Sequence, residues 1–293
     1  MPLLKCSSGG LVNVDEEFSE KLIVQLAPTG MMPTKKDTPH VPITPKEIAA
    51  DTYKAYKLGV SVVHVHARDE EGRPTYKKEI YDEIIARIKE KCPDIIICAS
   101  TSGRTYSALD QRAQVLDLKP DMASLTVGSL NFSAAPSINS IETIKELAMR
   151  MAQKGIKPEL EIFESGFINT AIYLERKGYF KPPMHFNLLL GSLGSIPADL
   201  RDHVYLVESI PHGNTWSATG IGRFQARINV AAILMGGHVR VGIEDSIYYD
   251  YHKRELATNE RLVKRILKIA KELGRDIATP ADARKILKLN YSC

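Results

Sequence analysis

Short runs rich in β-branched and apolar residues alternate with amphipathic helical patterns along the chain, and the alternation does not break. "LIVQLAPT" (Leu22–Thr29) reads as a first strand, and "TPKEIAADTYKAYKLG" as the helix after it. In that helix Thr44 is an N-cap, Pro45 sits at the first helical position, Glu47 completes a capping box, and Gly59 is the stop. "VSVVHVHA", "IIICAST", "MASLTVGS", "PELEIFES", "HFNLLLG", "TWSATGIG" and "HVRVGIED" continue the strand series. The spacing predicts helices near Lys77–Lys91, Ala108–Leu118, Ile141–Gln153, Ile168–Lys177, Ala198–Ser209 and Phe224–Met235. "NERLVKRILKIAKELG" is the last of the series, with a short final helix near Pro280–Leu287. Eight strand–helix units in roughly 250 residues is the pattern of a closed parallel α/β barrel, the (β/α)8 or TIM barrel. A doubly wound open sheet is the competing arrangement if only six or seven of the runs are true strands.

The chain has 293 residues and no linker-like stretch, so one barrel over 21–293 is expected, preceded by an N-terminal extension over 1–20. The formal charge is only +4 and the basic residues are dispersed, which argues against a nucleic-acid partner. No apolar run reaches the ~18 residues that a membrane span needs. Cys6, Cys92, Cys98 and Cys293 form no CxxC pair, which fits free thiols in a reducing compartment and hence a cytoplasmic protein.

Strand parity carries the functional argument. Side chains alternate faces along a strand. In "VSVVHVHAR", Val62, His64, His66 and Arg68 share one face, and Val63, Val65 and Ala67 the other. In "HVRVGIED", His238, Arg240, Gly242 and Glu244 oppose Val239, Val241 and Ile243. If the apolar sides face the helices, the ionisable sides point into the barrel and toward its C-terminal rim, where barrel active sites lie. Buried charges there need partners, a metal or a wet pocket. Glu161, with Glu159 on its face, adds carboxylates, and Thr29, Ser100, Ser124, Thr126, Asn187 and Asp245 add polar strand ends.

Histidines at i and i+2 of a strand lie about 6.5–7 Å apart along the backbone and can converge on one ion. With Glu244 as a third ligand the set is His2Glu plus an open position, a pattern that suits zinc. The alternative is a pair of histidines hydrogen-bonded to carboxylates. "GIGR" (Gly220–Arg223) is either a phosphate site or a plain tight turn; "GSLGS" (Gly191–Ser195) is a lid or a loop. His40, His185, His203, His212 and His252 lack ligand spacing and read as structural.

The blocks "APTG", "PITPKEIA", "VVHVHARDEEGRP", "IIICASTSGR", "KPDMASLTVGSLNF", "PELEIFESG" and "GGHVRVGIEDS" stand in this order over residues 21–290. Together they resemble the β-keto acid cleavage enzyme family, including its 3-keto-5-aminohexanoate-cleaving branch. The resemblance implies a (β/α)8 barrel with one zinc ion, a homotetramer, and acyl exchange: a β-keto acid and acetyl-CoA give acetoacetate and a new acyl-CoA. It implies that His64, His66 and Glu244 hold the metal, that Asp245 is the base, and that Arg240 partners that base. Ser100, Ser124 and Glu161 match its further catalytic positions, with a serine at 124 where threonine is expected. Thr29, Met32, Gly103 and Thr126 complete the expected substrate-facing set. Met32 stands where the amine-handling branch has a glutamate, so the resemblance implies an apolar or uncharged polar tail here, unless Asp37 takes over that role. Arg240 beside Asp245 is expected to lower its pKa and weaken it as a base. Three other classes remain open at this point: a metal-dependent hydrolase of the amidohydrolase type, a CoA-independent keto-acid lyase, and a non-catalytic binding barrel.

Overall fold

The computed structural model describes residues 20–133 and 135–289. The expected extension over 1–20 lies outside the described residues except for Glu20, as do Cys6 and Cys293. Eight parallel strands close into one barrel: β1 (Val24–Leu26), β2 (Val62–Val65), β3 (Ile96–Ala99), β4 (Met122–Thr126), β5 (Lys157–Ile162), β6 (His185–Leu190), β7 (Thr215–Gly220) and β8 (His238–Val241). Neighbours follow chain order around the ring, and β8 closes against β1 with Gln25 opposite Arg240. That closure excludes the open sheet. The helices α1 (Pro45–Leu58), α2 (Lys78–Lys91), α3 (Leu109–Ala113), α4 (Ile141–Gln153), α5 (Ser165–Arg176), α6 (Leu200–Ser209), α7 (Gln225–Leu234) and α8 (Asn259–Glu272) alternate with them, and α9 (Pro280–Ile286) follows.

Local chemistry sets the boundaries. The Thr44 hydroxyl accepts from the Glu47 N–H while the Glu47 carboxylate accepts from the Thr44 N–H, and Gly59 ends α1 at φ 114°. Other ends differ from expectation. The Ala108–Leu118 helix is a short α-turn followed by a 3-10 stretch, Gln114–Leu118, that ends with Lys119 in the left-handed region. α5 begins at Ser165, three residues before the expected Ile168. α6 starts at Leu200 because Asp199 caps it, accepting from the Asp202 N–H.

The faces sort as parity requires. Val63, Val65, Ile97, Leu125, Leu160 and Val239 turn outward into the apolar layer under the helices. A second apolar cluster lies at the opposite end of the barrel from the rim. There Ile23, Val62, Ile96 and Met122, at the starts of their strands, pack with Ala283 and Leu287, so α9 plugs the bottom. The interior between is polar: the Gln25 amide donates across the barrel to Glu159 at 2.7 Å, and Ser217 donates to Asn187.

The β1/β8 seam is tight at Gly242, where a Cβ would collide with the Ala27 carbonyl. The obstacle is backbone and cannot turn aside. Gly242→Ala is therefore expected to cost about 2 kcal/mol or more, read as a lowered midpoint in urea unfolding. An unchanged midpoint would show that the seam has room.

Candidate active site

The rim of the barrel holds a cavity of about 320 Å3 whose floor carries His66, Ser100, Thr126, Glu161, Arg240, Glu244 and Asp245. Each comes from the C-terminal end of a different strand or the turn that follows it, except for the three from β8. That strand ends at Val241, so Glu244 and Asp245 reach the centre from the turn beyond it. Gly30 makes this approach workable: it has φ +65°, and a Cβ there would sit 2.5 Å from Glu244 Cγ.

His64, His66 and Glu244 converge. The two Nε2 atoms are 3.1 Å apart, and Glu244 Oε1 lies 3.2 Å from His66 Nε2 and 3.9 Å from His64 Nε2. Tetrahedral ligands at ~2.0–2.1 Å from one ion are separated by about 3.4 Å, so these spacings suit a single metal. Glu244 Oε2 is buried without a hydrogen-bond partner among the described residues, an open ligand atom for such an ion. Protonation states agree. Burial holds His64 well below the usual imidazole range, which keeps its nitrogen lone pair available. Burial alone would raise Glu244, but Arg240 and the two histidines hold it well below the ordinary carboxylate range. Beneath, His64 Nδ1 faces Glu159 Oε2 at 3.6 Å, and neither atom has a hydrogen-bond partner among the described residues. Cys98 also approaches this pair within the barrel. Burial raises Glu159 to about 7.

Arg240 organises the acidic side. Its Nε and Nη2 donate to the two oxygens of Asp245 at 2.9 and 3.0 Å, and Nη2 also donates to Glu244 at 2.6 Å. Nη1 points toward Glu161 at 3.8 Å. The expected lowering of Asp245 is reversed. Burial, reinforced by the negative Glu244 and Glu161, outweighs the guanidinium and raises its pKa. A raised carboxylate is a stronger base than the sequence alone suggested.

The remaining expected residues divide. Ser100 lines the cavity and accepts the Ser102 N–H at 3.2 Å, leaving its own proton free to be donated inward. Thr126 donates to Glu161 at 2.6 Å. Ser124 lies one inward-facing step deeper on β4, opposite Glu159, and does not line the cavity. Met32 forms part of the outer wall beside Met31. Thr29 is fully buried in the turn after β1 and away from the cavity. Gly103 is also off the wall; a Cβ there would meet the Arg112 guanidinium, so its contribution is to let the loop pass. Arg68, placed by parity with the histidines, turns away instead and donates to the carbonyls of Gly30, Pro33 and Gly72. Asp37 is tied to Thr34 on the surface.

The "GIGR" stretch is a tight turn. The Gly222 N–H donates to the Asp245 carbonyl at 2.6 Å, and Arg223 stacks on Phe224 and Tyr251. In "GSLGS", Leu193 stands 75% exposed at the cavity mouth. His185 pairs with Thr215, and burial lowers it to about 3, consistent with a structural place. The wall residues that strand periodicity missed are Arg104, Phe132, Phe163 and Leu193, all from loops or strand ends. The one sequence signal for Arg104 is its place directly after "STSG". Among the described residues no helix is long and apolar enough to cross a membrane.

Comparison with known proteins bears on the family and the fold. The chain is 45% identical over 272 residues to a 3-keto-5-aminohexanoate cleavage enzyme of Fusobacterium nucleatum, covering 92% of this chain and 98% of that one. It is 34% identical to a 3-oxoadipate:acetyl-CoA acetyltransferase of Cupriavidus necator, covering 93% and 96%. The solved apo structure of ObcA superposes with a TM-score of 0.73 at 22% identity, covering 86% of this chain and 66% of that one, and bears on the fold alone. The model of the beta-keto acid cleavage enzyme family matches residues 21–289, and the chain belongs to that family.

Proposed function

We propose that this barrel is a zinc-dependent acyltransferase that exchanges acyl groups between a β-keto acid and acetyl-CoA, releasing acetoacetate and a new acyl-CoA. The observation that carries the reading is the convergence of His64, His66 and Glu244 beside the Asp245–Arg240 pair. Those three residues would hold a divalent ion, which would supply the Lewis acidity that acidifies the C–H beside the keto group. Asp245, raised by burial and oriented by Arg240, takes the α-proton. The carbon so freed attacks the acetyl thioester and expels the CoA thiolate. Ser100, with its proton free, donates to the oxyanion that develops on the thioester carbonyl. The thiolate attacks the original keto carbon, the carbon–carbon bond breaks, and the leaving acetoacetate carbanion recovers a proton from Asp245. The Thr126–Glu161 pair lines the cavity and can carry protons, in the role that the resemblance gave to Ser124 and Glu161.

The two named relatives act on β-keto acids whose tails differ, an amine in one and a carboxylate in the other. The tail is therefore where members of the family diverge. In this chain the outer wall carries Met32, which offers an adaptable apolar surface and no charge. Met32→Glu is expected to raise the preference for 3-keto-5-aminohexanoate over an uncharged analogue about tenfold. Competitive turnover of the two acids measures it, and an unchanged ratio removes Met32 from the tail site.

The test of the reaction is a panel of β-keto acids incubated with acetyl-CoA and the zinc-loaded protein. Acetoacetate together with a new acyl-CoA mass is the expected result. Keto-acid breakdown that proceeds without acetyl-CoA would instead make the protein a lyase.

A further inference from the structure

The four arginines that are buried among the described residues each donate to the chain, although Arg112 Nη1 and Arg240 Nη1 have no partner. Arg68 holds three carbonyls, Arg275 those of Glu20, Ile233, Gly236 and Gly237, Arg112 the Thr101 carbonyl and Asn139, and Arg240 two carboxylates. Arg104 differs. Its guanidinium lies on the face of Phe132, 3.4 Å from the ring centroid, and Phe132 is braced edge-on by Phe163. Its Nε is buried without a hydrogen-bond partner, and among the described residues no carboxylate lies within ion-pair distance of it. The group nonetheless lines the cavity.

The loop is built to deliver it there. The Ser102 N–H donates to the Ser100 hydroxyl, and the Arg104 N–H to the Ser102 hydroxyl. Gly103 supplies the clearance over Arg112 that the path requires. Ser100, Ser102 and Arg104 thus face the cavity in succession, climbing outward from the end of β3. The guanidinium held over the Phe132 ring makes no hydrogen bond to the described residues, and its N–H fork matches a carboxylate. The cavity's own carboxylates are otherwise engaged: Asp245 and Glu244 by Arg240, and Glu161 by Thr126. At its outer wall the cavity therefore offers a ligand's far end a cation that, among the described residues, has no carboxylate partner.

We propose that Arg104 is the specificity-determining residue for the substrate's tail and that it receives a carboxylate there, so that the preferred substrate class is a β-keto dicarboxylic acid. This rests on the acyl exchange proposed above and replaces an uncharged tail by an anionic one. The metal site and Arg240 serve the keto-acid end at the barrel axis. Phe132 and Phe163 flank the tail's methylenes, and Arg104 closes the outer end. The carboxylate that Arg104 binds has two conceivable origins, the acid shared by every β-keto acid and a second one on the tail, and the substrates below separate them.

The experiment compares 3-oxoadipate with 3-oxohexanoate, its monocarboxylate counterpart, in wild type and in Arg104→Gln and Arg104→Lys. The wild type is expected to favour 3-oxoadipate in kcat/KM. In Arg104→Gln that preference falls about 30-fold, and Arg104→Lys restores part of it. A structural role for Arg104 would lower both substrates together, and so would binding of the shared carboxylate; either result overturns the assignment, as does a wild type that favours 3-oxohexanoate. Thermal-shift titrations of the zinc-loaded protein with each acid, without acetyl-CoA, run alongside. Arg104-dependent tighter binding of 3-oxoadipate in a protein that forms no acetoacetate refutes the acyl exchange and keeps the tail site. Equal binding of the two acids refutes the tail site.

Discussion

Asp245→Asn is expected to lower turnover on the order of 10^3-fold while the protein keeps its fold and its metal. The argument rests on what the substitution leaves in place. Asparagine fills the same volume, and its carbonyl oxygen still accepts from Arg240. The amide nitrogen, however, meets a second guanidinium donor where a carboxylate oxygen stood. One charge-assisted hydrogen bond is lost, a cost of about 1.5–3 kcal/mol that a closed barrel of this size absorbs. Glu244 keeps Arg240 and stays ionised, so all three residues that would hold the metal remain in place. The loss is confined to proton transfer, because an amide cannot accept the α-proton. The cleanest measurement is exchange of the α-hydrogens of a β-keto acid for deuterium, followed by NMR with no acetyl-CoA present and corrected for the uncatalysed rate. That isolates the first step from acyl transfer. Exchange at the wild-type rate in Asp245→Asn would assign the base elsewhere, with Glu161 the carboxylate on the cavity floor that lies outside the proposed metal set.

What the sequence could reveal follows from which features are periodic. Strand parity is a local property, and it placed His64 and Arg240 inside the barrel and Val63, Val65 and Val239 outside it. Capping chemistry is equally local, and α1 begins and ends where Thr44 and Gly59 put it. Parity lost its authority where strands ended. Arg68, extrapolated inward, belongs to a two-residue ribbon with Pro74–Thr75 and clasps the turn after β1. Glu244 reaches the centre although its strand has stopped at Val241, because Gly30 leaves room for it. Ser124 and Thr126 share an inward face, and only depth decides which of them meets the cavity; depth depends on how the strands stagger around the ring. The wall formed by Arg104, Phe132 and Leu193 comes from loops with no period, so nothing in the spacing marks it. The basicity of Asp245 shows the same limit. The neighbouring arginine is visible in the sequence, but the burial and the second carboxylate that outweigh it exist only once the chain has folded.

Removal of any one of His64, His66 or Glu244 is expected to weaken zinc binding by at least about 100-fold and to abolish acyl exchange with it. Changes to groups behind a metal's direct ligands typically cost 10–100-fold, so losing a direct ligand sets that range as the lower limit. The three substitutions should differ in what else they disturb. His64→Ala opens a hole inside a packed barrel and leaves Glu159, already without a partner for Oε2, facing an empty space. Glu244→Gln keeps the volume but withdraws the anion that His66 and Arg240 share, so its effect should fall almost wholly on the metal. Glu159→Gln provides the intermediate case. It retains the Gln25 contact in outline and changes only the group facing His64 Nδ1, so zinc affinity should drop about tenfold with all three ligands still present. The fold is expected to survive without the ion, because the apolar layer under the helices and the plug formed by α9 are built from side chains alone. Chelation should accordingly leave a folded protein with a lower Tm, the shift corresponding to about 4 kcal/mol when zinc had been present at a thousandfold excess over its dissociation constant. Competition with a chromophoric chelator gives the affinities, and circular dichroism melts of the same samples give the stabilities. A His64→Ala protein that binds zinc as tightly as wild type would place the ion elsewhere, and with it the proposed source of Lewis acidity.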